Sequence, residues 1–109
     1  MRTVLLLSVL WLLPAAHADQ QHMRTLAASC AACHGTEGNS IGGMPVLAGL
    51  ERNHFVLQMQ SFRNGARAST VMHHHAKGLS PEEIEALANY FSLQPRRPAA
   101  PPMSMKHFE

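Results

Sequence analysis

The sequence predicts an all-α fold with three main helices and a shorter fourth one. Apolar residues recur at helical spacing in three stretches, and no segment alternates apolar and polar residues as a half-buried strand does. A length of 109 residues favours one domain. A domain of this size buries only a limited core and usually requires a cross-link or a bound group for stability.

The first predicted helix covers residues 21–32, where Met23, Leu26 and Cys30 fall at helical spacing. Gly35 follows closely and is expected to end this helix by adopting the left-handed conformation. The chain therefore leaves its first helix directly after the segment that contains both of its cysteines.

A glycine-rich loop, residues 35–49, is expected to separate the first helix from the second. The second predicted helix covers residues 52–64 and carries Phe55, Met59 and Phe62 on one face, and the glycine that follows is its expected stop.

The last predicted helix has the clearest start. Ser80 is a suitable N-cap, Pro81 stands at the first helical position, and Glu83 completes a capping box. A short helix of one or two turns is expected before it, around residues 72–77. The last helix then presents an apolar stripe to the core, formed by Ile84, Leu87, Ala88 and Phe91.

Residues 1–18 match the three-part pattern of a signal peptide. Arg2 provides a positive start, an apolar run follows over residues 4–13, and small residues precede an expected cleavage site after Ala18. The alternatives are an uncleaved anchor or a buried helix. The run is too short to span a bilayer. We therefore expect a periplasmic protein with no membrane span after cleavage.

The folded domain is predicted to cover residues 19–93. Residues 94–109 contain four of the seven prolines and few residues that could pack, which favours a disordered tail. A tail that wraps onto a partner subunit is the alternative. The chain has a formal net charge of +2 and no basic run. This composition argues against nucleic acid as a partner.

The sharpest motif is Cys30-Ala-Ala-Cys33-His34. Cysteines three residues apart lie on the same side of a helix, so both sulfurs can reach one edge of a porphyrin while the adjacent histidine reaches its iron. This pattern is the signature of covalent attachment of one haem c. A thioredoxin-like redox motif would require a βαβ context, and a zinc site would require further ligands at metal spacing.

The sixth ligand of the haem iron is less well specified by the residues alone. Met72 precedes the last predicted helix and is the first candidate. The adjacent histidines 73–75 compete with it, and Met44 in the glycine-rich loop is the third candidate. Methionine opposite histidine would give a haem of raised potential.

These residues occur in a pattern that resembles class I cytochrome c over nearly all of residues 19–93. Within that family the sequence is most similar to the cytochrome subunits of flavocytochrome c sulfide dehydrogenases. The similarity is carried by the segments 30–40, 45–50, 62–67, 69–72, 76–84 and 88–91.

The resemblance implies the class I cytochrome c fold and two roles in the haem site. Met72 matches the methionine that binds the iron, and Pro45 matches the proline whose carbonyl orients the proximal histidine. Leu26 and Tyr90 match the crossing of the first and last helices. The histidines 73–75 and the proline-rich tail depart from the family pattern.

The predicted function is outer-sphere transfer of single electrons, with no catalysis by this chain. The resemblance implies a flavoprotein (FAD) subunit that oxidises reduced sulfur as the donor, and a further redox protein as the acceptor. A free periplasmic electron shuttle is the first alternative. A haem enzyme or gas sensor with an open sixth position is the second.

Overall fold

Four α-helices and one short 3₁₀ turn make up the part of the chain that this computed structural model describes, residues 14–98, with side chains from residue 19 onward. Those residues contain no strand, and the all-α prediction is confirmed. The helices are α1 (Pro14–His34), α2 (Arg52–Arg63), α3 (Met72–Gly78) and α4 (Pro81–Ser92), and the 3₁₀ turn covers Thr36–Gly38. No helix among the described residues is both long and apolar enough to cross a membrane.

Helix α1 is longer than the predicted span of residues 21–32, because it begins at Pro14 and ends at His34. Proline fits the first turn of a helix, and the alanines that follow it are strong helix formers. Helical periodicity does not reveal such a segment. The predicted boundary after Ala18 therefore lies within a continuous helix. Most of the predicted signal peptide, residues 1–13, lies outside the described residues.

Side-chain caps define the starts of α2 and α4. The carboxylate of Glu51 accepts hydrogen bonds from the backbone N–H groups of Asn53 (2.9 Å) and His54 (2.8 Å), which lowers the pKa of Glu51. The capping box predicted for α4 is confirmed: the hydroxyl of Ser80 accepts from the backbone of Glu83, whose carboxylate accepts from the backbone of Ser80.

The core lies between α1, α2 and α4, with one residue from α3. Phe55 of α2 and Phe91 of α4 stack with their ring centroids 5.8 Å apart. Leu26 of α1 and Tyr90 of α4 pack against the same core from its edge. The buried core residues are Ala27, Phe55, Met59, Ala76, Ile84, Leu87, Ala88 and Phe91.

The folded part of the chain continues past Leu93, where the sequence predicts its end. Residues 94–98 lie against the loop that follows α1, with Asn39 donating to the carbonyl of Pro95 and accepting from the backbone of Arg97. These bonds pair a side chain with a distant backbone, so no local sequence pattern reveals them. The rest of the predicted tail, residues 99–109, lies outside the described residues.

Gly38 closes the base of this loop. Its carbonyl accepts hydrogen bonds from the N–H groups of Leu47 (2.8 Å) and Ala48 (3.1 Å), and its φ is 76°. A Cβ atom at this position would lie 2.8 Å from the nitrogen of Ala48 and 2.9 Å from the ring of Phe91. Both neighbours are held in place, so residue 38 must lack a side chain.

We expect Gly38→Ala to lower the free energy of unfolding by about 2–4 kcal/mol, because it combines left-handed backbone strain with overpacking against fixed neighbours. Gly42→Ala is the matched control, since a Cβ there meets nothing within 4 Å, and it should change stability by no more than about 0.5 kcal/mol. Denaturant titration of both variants measures the difference. Equal stabilities would show that the close approach at Gly38 is not a constraint.

Candidate functional site

A cavity of about 560 Å³ opens between the four helices and the loop that follows α1. Its volume lies in the range of cofactor sites. The wall is predominantly apolar, and it includes Leu26, Leu47, Phe55, Met59, Phe62 and Leu87. Core residues of α1, α2 and α4 thus also form the wall of the cavity, so a ligand bound there would complete the hydrophobic core.

His34, the last residue of α1, is the buried polar residue of this wall, with 7% of its surface exposed. Its Nδ1 lies 2.8 Å from the carbonyl oxygen of Pro45. A carbonyl only accepts, so Nδ1 carries the hydrogen and Nε2 is left with its lone pair. Among the described residues, Nε2 is the buried side-chain nitrogen without a hydrogen-bond partner. An unpaired buried nitrogen is costly unless a ligand uses it.

Both cysteines line the same cavity, on the last turns of α1 before His34. The thiol of Cys33 is exposed and that of Cys30 is partly buried. Burial raises the pKa of the Cys30 thiol, which lies 3.5 Å from the carbonyl oxygen of Leu26. Within residues 14–98, no group of three histidine, cysteine or acidic residues is placed to hold a metal ion, so those residues offer no support for the zinc alternative.

The candidates for the sixth ligand do not share the same placement. Met72, the first residue of α3, is partly buried, packs against the core and lines the cavity. Met44 also lines the cavity but is 39% exposed. His74 and His75 line the cavity with exposed side chains. His73 is absent from the cavity wall, and its ring nitrogen Nδ1 lies 3.1 Å from the hydroxyl of Ser69.

A polar part of the wall was not anticipated from the sequence. Arg67 lines the cavity, its guanidinium stacked 4.8 Å from the ring centroid of Phe62. The same guanidinium donates a hydrogen bond to the side-chain oxygen of Gln58. Among the described residues that line the cavity, His54, His74 and His75 are further basic side chains and none is acidic. Arg67 lies inside the segment 62–67 that carries the family resemblance. That resemblance was the feature of the sequence that could have indicated a role for Arg67.

The residues present fit a haem. The macrocycle requires a large apolar cavity, its iron requires a nitrogen ligand with a free lone pair, and its propionate groups require a wall free of acidic side chains. Nε2 of His34, the two thiols and the Arg67 side of the cavity meet these requirements together. The structure therefore brings Cys30, Cys33, His34, Pro45 and Met72 to one site, although they come from three different segments of the chain.

Comparison with protein-family models gives a match over residues 17–91 to the family described as cytochrome C oxidase, cbb3-type, subunit III. The match covers most of the chain, including α2, α3, nearly all of α4 and every residue that lines the cavity.

Three curated proteins are similar to this chain in sequence. The cytochrome subunit of sulfide dehydrogenase from Chlorobaculum tepidum is 47% identical over 66 residues, covering 61% of this chain and 60% of the relative. The thiosulfate dehydrogenase electron acceptor of Thiomonas intermedia is 46% identical over 78 residues, covering 69% of this chain and 36% of the relative. Cytochrome c-553 of Helicobacter pylori is 36% identical over 70 residues, covering 62% and 73% respectively. The chain thus spans less than two thirds of the length of the first two relatives.

Proposed function

This chain belongs to the cytochrome c family described as cytochrome C oxidase, cbb3-type, subunit III, and from that membership we propose that it is a carrier of single electrons with one covalent haem c. The observation that supports the proposal most directly is the free Nε2 of His34, buried in an apolar cavity beside two thiols. When bound, the haem supplies a one-electron couple between ferric and ferrous iron.

The residues of α1 would hold the haem at three points. Cys30 and Cys33 would attach it through thioether bonds, and Nε2 of His34 would bind its iron. The hydrogen bond from Nδ1 to the carbonyl of Pro45 fixes the tautomer and the ring orientation, and it makes Nε2 a more basic ligand. Pro45 thus acts on the iron only through His34.

We favour Met72 as the second residue that would bind the iron. Its side chain is partly buried and packed against the core at the cavity wall, whereas those of His74 and His75 are exposed. A thioether held in an apolar wall loses little freedom when it binds a metal, and an exposed imidazole loses more. Two protein ligands would leave no open position on the iron, which favours electron transfer over catalysis or gas sensing.

The basic side of the cavity would receive the acidic groups of the haem. The planar guanidinium of Arg67 presents several N–H donors that suit a carboxylate. Gln58 already accepts one of these hydrogen bonds and restricts the guanidinium. A cation in the cavity wall would also favour the reduced state of a bound haem, because reduction removes one positive charge from the site.

A flavoprotein (FAD) subunit that oxidises a reduced sulfur compound is the electron donor that we propose. Two relatives carry the names cytochrome subunit of sulfide dehydrogenase and thiosulfate dehydrogenase electron acceptor. The cavity mouth offers exposed apolar contact area at Met44 and Val71, which are 39% and 45% exposed. A second redox protein would take the electron onward. We place the protein in the periplasm, on the basis of the signal-like residues 1–18 and the haem attachment motif.

We expect Met72→Ala to open the sixth position of the iron. The oxidised variant should lose the near-infrared charge-transfer band of a methionine ligand, and the reduced variant should bind carbon monoxide within the mixing time. Met44→Ala, a second methionine of the same wall, should keep the band and remain unreactive. A wild-type protein that binds carbon monoxide rapidly would count against an electron carrier and favour a gas sensor or haem enzyme.

Arg67→Gln should lower the reduction potential by about 20–40 mV, since removal of an exposed cation near the haem costs the reduced state about 0.5–1 kcal/mol. Arg67→Lys should restore most of the difference. Lys77→Gln removes a cation of α3 that does not line the cavity and should leave the potential nearly unchanged. Redox titration at low ionic strength measures all three variants, and equal shifts in Arg67→Gln and Lys77→Gln would contradict a specific role of Arg67.

Purification of the tagged full-length protein from its native host tests the proposed donor. We expect a stable one-to-one complex with a flavoprotein, whose flavin fluorescence and reduction by sulfide or thiosulfate identify it. Val71→Asp should weaken this complex because it places a charge in the apolar contact area. Leu57→Asp should not, because Leu57 lies outside the cavity wall, although it is 59% exposed against 45% for Val71. Recovery of a monomer alone would favour the free electron shuttle.

A further inference from the structure

We propose that residues 94–98 form a strap that positions the loop carrying Pro45, and through it the imidazole ring of His34. Asn39 and Arg97 are the positioning residues of this device. The inference rests on the proposed role of His34 as an iron ligand. It assigns a function to the start of a segment whose composition alone favours disorder.

One end of the loop is fastened to the strap by Asn39. Its amide nitrogen donates to the carbonyl of Pro95 at 3.1 Å, and its amide oxygen accepts from the backbone N–H of Arg97 at 2.7 Å. The side-chain amide of Asn39 thus donates one hydrogen bond to the strap backbone and accepts one from it. An ion pair between Arg97 and Glu37, 2.7 Å long, lies beside it.

The other end of the loop is fastened where it returns to the core. Nε of Arg96 donates to the carbonyl of Ala48 at 3.3 Å, and Ala48 is fully buried. The backbone N–H of Gly49 and that of Gln94 both donate to the carbonyl of Phe91, at 2.9 and 3.1 Å. The strap therefore contacts the loop on both sides of Pro45.

The part of the loop between these two ends has few other restraints. A Cβ atom at Gly42 or Gly43 would meet nothing within 4 Å, and Met44 is 39% exposed. The position of the Pro45 carbonyl consequently depends on the base of the loop, where Gly38 accepts from Leu47 and Ala48. The strap lies across that base and restrains it from outside.

The two positioning residues should contribute unequally. Arg97 and Glu37 form an ion pair whose side chains are 59% and 37% exposed, and exposed pairs of this kind contribute little. Asn39 makes two hydrogen bonds to the strap backbone, and removal of its amide breaks both. We therefore expect a larger effect from Asn39→Ala than from Arg97→Ala.

Hydrogen exchange in the full-length reduced holoprotein, followed by NMR, tests the proposal. Asn39→Ala should raise the exchange rates of the His34 ring N–H and of the Leu47 and Ala48 amides by about fivefold or more, because it favours local opening of the loop. Amides of α4 should keep their rates, which separates a positioning effect from loss of global stability.

Arg52→Ala is the matched control, since Arg52 forms an exposed ion pair of the same 2.7 Å length with Glu85, which joins α2 to α4 and does not involve the strap. It should leave the exchange of the His34 ring N–H unchanged. Truncation after Leu93 should reproduce the effect of Asn39→Ala, whereas truncation after Pro98 keeps the strap and should have no effect.

Unchanged exchange in both Asn39→Ala and the truncation after Leu93 would overturn the proposal, as would equal effects of the two truncations or a matching rise in Arg52→Ala. The visible spectrum of the wild type separates this failure from that of the proposed function. If His34 were not the iron ligand, the spectrum would show it, while the amides of Leu47 and Ala48 would still report on the strap.

Discussion

The hydrogen bond between Nδ1 of His34 and the carbonyl of Pro45 is the interaction on which the rest of the site depends. It uses one nitrogen of a buried imidazole and leaves the other, Nε2, without a partner among the described residues. A buried nitrogen of this kind is a cost to the folded chain unless a metal ion or another ligand uses it. The local structure is therefore arranged for a bound group, and not for the stability of the polypeptide by itself.

The small hydrophobic core also requires a bound group. Phe55 and Phe91 join α2 to α4, but residues such as Met59 and Leu87 belong both to the core and to the cavity wall. A domain of this size has too little apolar surface to fill such a volume with its own side chains. A covalent haem would supply that apolar surface and would link α1 to the opposite wall of the cavity. Haem attachment would therefore stabilise the folded packing of the helices.

The side chains at the edge of the cavity are of more diverse chemical types than those at its centre. Arg67 places a guanidinium in the cavity wall, and Met44 and Val71 are exposed apolar residues of the same wall. The strap of residues 94–98 fastens the base of the loop from the far side. In the proposed function these features would set the electrostatic potential, the contact surface and the rigidity around the haem.

The number and order of the helices could be predicted from the sequence, as could the residues that we propose attach the haem, but the start of α1 at Pro14 could not. Capping boxes and apolar stripes act within a few residues of each other, so α4 could be predicted from residues 80–91. The spacing of Cys30, Cys33 and His34 is equally local, because one helical turn brings them together. The contacts between segments that are distant in the sequence are seen only in the tertiary structure. Three features depend on packing between elements far apart in the chain: His73 lies away from the cavity, Arg67 lies in its wall, and residues 94–98 dock onto Asn39. Such contacts leave no periodic or local signal in the sequence.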